Sequence, residues 1–213
     1  MILEIVADLG YLVLFINTLL FLKSFSSKGK AHKIFGIYLL CMFLIQISAK
    51  AMHFFKLNNL MLSHFYFIAQ FILLSCFYLN LRMDAFQTKT IKVGFAFCLG
   101  VLGMQYLLDA TAFLKFNLFE IFITSFLLII YSTFYLYNLL NEKKEFYYIN
   151  LGILIYLFGS TVIFLAGNLT TIYKLRFVFN IWILNAFLYL IYQLLILFEW
   201  RKNYSNQLKL KNG

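Results

Sequence analysis

The run FYYINLGILIYLFGSTVIFLA, Phe146–Ala166, contains no Asp, Glu, Lys or Arg. Wound as an α-helix it measures about 31 Å, which matches the hydrocarbon core of a bilayer. Lipid offers no partner to a backbone N–H or C=O, and a helix satisfies both within the segment. Working outward from this run, six more apolar stretches of spanning length appear: Ile2–Leu22, Ile34–His53, Leu60–Leu81, Ile91–Leu108, Leu118–Leu140 and Phe177–Phe198. The short alternating segments of a β-barrel are missing. The expected fold is all-α: a polytopic seven-transmembrane-helix bundle over residues 1–198, followed by a short basic tail, 199–213.

Composition supports that reading. Of 213 residues, 63% are hydrophobic, 12% are charged and none is proline. A soluble domain carries about 25% charged residues, so this chain could not cover itself with a wettable surface. Cytosolic enzymes, secreted modules and nucleic-acid-binding domains are thereby excluded. The net charge of +10 has a topological explanation instead. Thirteen of the 18 basic residues and four of the eight acids fall in connectors 23–33, 82–90 and 141–145, their flanks and the tail, giving +9 there and +1 on the opposite side. The positive-inside rule then places the amino terminus outside and the carboxyl terminus in the cytoplasm. The first segment lacks a basic leader and an A-x-A-like cleavage site and carries Glu4 and Asp8, so it reads as a retained helix.

Ionisable groups inside membrane segments are costly and mark candidate sites. Here they gather at the outer helix ends: Asp8, Lys50, His53, His64, Asp109 and Glu120. Gln46, Lys50 and His53 follow i, i+4, i+7 spacing and so share one helical face. Asp8, Gln46, Lys50, His53, His64 and Glu120 are expected to line an outward-facing polar pocket, with Lys50 suited to an anionic ligand group and Asp8 or Glu120 as its counter-ion. His53 and His64 lack the further ligands of a metal or haem site, and no cofactor is expected. His32, between Lys30 and Lys33, reads as a solvated loop residue. Cys41, Cys76 and Cys98 lie in apolar runs and read as small core hydrophobes. Ala96, Gly100 and Gly103 in the fourth helix, and Gly152 and Gly159 in the sixth, form small-residue seams of the kind that let helix backbones approach in lipid.

Motif chemistry is sparse. Neither GxSxG nor HExxH occurs. Broken-helix carriers use Gly or Pro near the midplane, and this chain has no proline. The last helix lacks a lysine for a retinal Schiff base. Small-solute transport and an intramembrane lipid-modifying enzyme stay as alternatives to a receptor-like module.

The run KSFSSKGKAHKIFGIYLL, Lys23–Leu40, resembles the connection between the first two helices in multi-helix membrane sensor regions of bacterial histidine kinases and AraC-type regulators. In both, a basic Lys/Gly loop leads into an aliphatic second helix with small residues. The resemblance implies a sensory module of the bacterial inner membrane. Those proteins continue into an output domain, whereas this sequence ends at Gly213, so output is expected to pass to a signalling partner at the cytoplasmic face. The expected function is a membrane sensor that binds a small ligand from the outer side, with the lipid bilayer as solvent and no nucleic acid as partner.

Overall fold

A computed structural model describes residues 2–140, 145–172 and 178–203. Over these residues the chain forms seven α-helices: α1 (Ile2–Lys23), α2 (Lys30–Phe54), α3 (Leu60–Leu79), α4 (Ala85–Leu108), α5 (Leu118–Asn138), α6 (Tyr147–Ile172) and α7 (Val178–Asn203). Each is long and apolar enough to cross a membrane, so the chain is a multi-pass membrane protein. Glu142, Lys143, Lys144, Lys174, Arg176 and the tail beyond Asn203 lie outside the described residues. Glu199–Asn203, read from sequence as the start of that tail, instead continue α7.

Six helices close a ring. α1, α2, α3, α5, α6 and α7 pack side by side in that order, and α7 returns to α1. α4 stands outside the ring against α3 and α5. Short connectors make neighbours in sequence neighbours in space, and α3 reaches α5 directly because α4 has been set aside.

Local chemistry fixes where the helices begin. α4 starts six residues before its apolar run because Asp84 and Gln87 form a capping box: the Asp84 carboxylate accepts from Gln87 N at 2.7 Å, and Gln87 Oε1 accepts from Asp84 N at 3.1 Å. Asn117 caps α5 by accepting from Glu120 N at 3.2 Å. The orphan N–H of Tyr148 at the start of α6 donates to the Glu199 carboxylate of α7 at 2.7 Å, which joins the two helices at the carboxyl-terminal end of the bundle.

The ring interior is aromatic. Tyr38, Tyr78, Tyr192, Phe35 and Phe77 are fully buried, Phe71 and Tyr131 are buried against α4, and Leu, Ile and Phe side chains cover the outside, where lipid solvates them. In lipid the close fit of backbones, rather than expulsion of water, drives helix association. α6 shows this: a Cβ on Gly152 would lie 2.9 Å from the Tyr192 ring, and one on Gly159 would lie 2.6 Å from Leu188 Cδ1. Two sequence readings are corrected. Ala96, Gly100 and Gly103 are exposed on the outer face of α4, with nothing within 4 Å of a Cβ built at either glycine, so that seam receives no helix among the described residues. His32 is not a solvated loop residue. α2 begins at Lys30, which turns His32 inward at 2% exposure, stacked on Phe21 at 4.7 Å and hydrogen-bonded to Ser24 Oγ at 2.8 Å.

Candidate ligand-binding site

A cavity of about 260 Å³ opens inside the ring toward the amino-terminal end of the bundle. α2 supplies Gln46 and Ala49, α3 supplies Ser63, Tyr66 and Phe67, α6 supplies Tyr156 and Phe164, and α7 supplies Asn185. Asn59 and Phe116 close its rim. Several of these groups are held by local bonds. Asn59 Nδ2 donates to Ala49 O at 3.2 Å and so ties the α2–α3 connector back onto α2, while Ser63 Oγ donates to Leu60 O at 2.6 Å. Tyr66 has Tyr156 as a partner, while Asn185 Oδ1 is buried and finds no hydrogen-bond partner among the described residues. A buried polar atom without a partner loses about 1–3 kcal/mol relative to a satisfied one.

Beneath the cavity lies a tyrosine layer. Tyr156 stacks on Tyr192 with ring centroids 5.3 Å apart and planes at 8°. Tyr192 Oη donates to Tyr38 Oη at 3.2 Å, and Gln70 Nε2 donates to Tyr38 Oη at 3.3 Å, so one contact chain crosses from α6 through α7 and α2 to α3. Nearer the carboxyl-terminal end, Tyr78 Oη and Ser132 Oγ both donate to Asn150 Oδ1, at 2.7 and 2.9 Å, joining α3, α5 and α6. Asn17 Nδ2 donates to the backbone of Gln193 at 2.8 Å and closes the ring between α1 and α7.

The six residues expected from sequence are distributed over three places. Gln46 lines the cavity. Lys50 and Asp8 form an exposed ion pair between α2 and α1, and Lys50 also lies 5.9 Å from the centroid of Tyr11. His53 is exposed in the last turn of α2. His64 and Glu120 are buried between α3 and α5, away from the cavity-lining side chains. The shared stripe of Gln46, Lys50 and His53 is real as helical geometry. Lys50, however, is turned from Gln46 toward α1, whereas Ala49 is turned the other way, toward α3 and the cavity.

The His64 cluster is a clasp. A carbonyl can only accept, so His64 Nε2 carries a hydrogen and donates to Lys115 O at 3.0 Å. Nδ1 meets Glu120 Oε2 at 2.7 Å, with one proton held between them. The Tyr106 hydroxyl donates to the same carboxylate oxygen, and its ring stacks on Phe113 at 4.0 Å. The cluster therefore fastens α4 and the 109–117 connector to α3 and α5. Imidazole, carboxylate and phenol together are the parts of acid–base chemistry, but His64 is 1% exposed and Glu120 is 0% exposed, so no substrate reaches them here. Asp109, exposed in that connector, is held below the usual carboxylate range chiefly by the Thr111 hydroxyl at 2.6 Å.

The sequence alone does not single out Asn59, Ser63, Tyr66, Tyr156 or Asn185. The available signal was the set of uncharged polar residues set back from the helix ends, which is weaker than a charge in an apolar run. Compared with known proteins, the chain matches no family model, no curated protein and no solved structure.

Proposed function

We propose that this protein is a ligand-binding membrane sensor whose site is the cavity between α2, α3, α6 and α7. The observation that carries this reading is the cavity itself, a space of small-molecule size inside the ring whose lining includes the polar residues Gln46, Asn59, Ser63 and Asn185. The excess of Lys and Arg at the opposite end supports a cavity open to the outside of a bacterial inner membrane, with the carboxyl terminus in the cytoplasm. Tyr156 supports a route for the signal: it borders the cavity and stacks on Tyr192, whose hydroxyl meets Tyr38. A ligand that prefers one packing of this layer shifts the population toward it, and a partner at the inner face reads the difference.

The test uses the full chain in lipid nanodiscs, screened by thermal unfolding against a set of small neutral, anionic and cationic compounds. Two cavity-filling variants, Ala49→Trp and Ser63→Phe, serve as references. Compounds that raise the unfolding temperature of the unsubstituted protein but of neither variant are expected. Their complete absence overturns the reading. Sustained flux of such a compound into proteoliposomes would replace the sensor by a carrier. Reporter fusions after Lys33 and Asn212 are both expected to report the cytoplasm, and an external signal at either overturns the orientation.

A further inference from the structure

One residue of the connector between α4 and α5 reaches the cavity. Phe116 stands on its rim, 44% exposed, with its ring centroid 6.1 Å from that of Phe164 on the wall. Its neighbours in the chain are tied down on both sides. Before it, the Lys115 carbonyl accepts from His64 Nε2 at 3.0 Å. After it, Asn117 Nδ2 donates to Gln105 Oε1 at 3.2 Å and to Tyr106 Oη at 3.3 Å, while Asn117 Oδ1 caps α5. The ring itself is held by apolar contact, which is weak for each atom pair and has no preferred direction. A side chain of this kind turns about its own bonds far faster than a tethered connector lifts.

α3 links the rim to the buried pair. Ser63 lines the cavity, and the next residue, His64, turns the other way to meet Glu120 with Nδ1 and Lys115 with Nε2. The imidazole is buried and lies edge-on to Phe113 of the same connector at 5.5 Å, so it is a fixed point from which the connector hangs. Without it, the chain at Phe116 is tied on one side rather than two. Resting on the ligand-binding reading above, we infer that Phe116 is the gate of the cavity and that His64 is its positioning residue, acting through the Lys115 carbonyl. The ring decides what passes, and the imidazole decides where the ring stands.

Passage through the gate can be read with a thiol reagent. In the full chain in nanodiscs, with Cys41, Cys76 and Cys98 replaced by alanine, Gln46→Cys puts a single thiol on the cavity wall. The probe is trimethylammonioethyl methanethiosulfonate, a permanent cation that approaches from water and is excluded from lipid. Phe116→Ala is expected to speed modification about tenfold. His64→Leu/Glu120→Leu frees the Lys115 carbonyl without leaving a buried ionisable group unpaired, and is expected to speed it about fivefold. Added to Phe116→Ala, that double change should give no further increase, because both act through one ring. A thiol modified at the same rate with and without the Phe116 ring overturns the gate and leaves the ligand-binding reading standing. A His64→Leu/Glu120→Leu protein no faster than its parent, or one whose effect multiplies that of Phe116→Ala as general loosening would, overturns the role of His64. A thiol that stays unmodified in every variant overturns the gate and the ligand-binding reading together.

Discussion

α6 and α4 belong to the same bundle by different means. In α6, 56% of the membrane span is buried, and Gly152 and Gly159 let α7 approach along its length. In α4 the buried share is 17%: polar clasps fasten the helix near its two ends, and between them Gly94 admits Tyr131 of α5, whose hydroxyl donates to Ile91 O at 3.4 Å. At the amino-terminal end of the bundle, Tyr106 is held by Glu120 and His64. At the other, Gln87 and Asn138 exchange two amide hydrogen bonds of 3.1 and 2.8 Å. Distributed packing spreads its energy over many contacts, so no single side chain decides it. Clasped attachment concentrates it, and single substitutions should then have unequal effects.

The largest effect is expected at the amino-terminal clasp. Glu120→Ala leaves His64 buried without its carboxylate and should cost about 3–5 kcal/mol, read as the unfolding midpoint in mixed micelles. The double variant His64→Leu/Glu120→Leu should lose less than Glu120→Ala alone, because no ionisable group is left buried without its partner and only the neutral bonds of the Tyr106 hydroxyl and the Lys115 carbonyl are lost. Equal losses would mean that the pair fastens nothing. Next comes the seam. Gly152→Leu drives a side chain into Tyr192 and Leu195 and should cost about 1–3 kcal/mol in the same assay. Asn138→Ala strips the second clasp and leaves the Gln87 amide half-satisfied, with an expected cost of about 0.5–1.5 kcal/mol and faster hydrogen exchange at the start of α4. Gly100→Leu marks the bottom of the scale. Its Cβ meets nothing within 4 Å, so a change of about 0.5 kcal/mol or less is expected. A large loss there would show that the outer face of α4 is occupied in the membrane.

The spans were legible because lipid imposes a length and an apolarity that single segments must meet alone. Their ends were less so. The apolar run of α4 begins at Ile91, yet the helix begins at Ala85, since Asp84 and Gln87 start it with hydrogen bonds that hydropathy does not register. α2 likewise starts at Lys30, four residues ahead of its apolar run. The site was legible in part. Costly groups did point to the amino-terminal end, and Gln46 lines the cavity there. Periodicity puts Gln46 and Lys50 on one stripe but says nothing of which neighbour stands on either side of it. In the fold, α3 stands on one side and α1 on the other, and the charge goes to α1. Tyrosines were harder still. Hydropathy does not tell an inward-facing phenol from a lipid-facing one, and only the closed ring reveals Tyr38, Tyr156 and Tyr192 as a single layer.

That layer has an electrical consequence. Across the middle of every described helix, the bundle's interior carries phenols and amides but no Asp, Glu, Lys or Arg. A transmembrane voltage does work on displaced charge, about 2.3 kcal/mol for each elementary charge carried through 100 mV. Rearranging tyrosine hydroxyls moves dipoles rather than ions, so almost none of that work is available to this bundle. The packing of its centre is thereby decoupled from the energised state of the membrane around it.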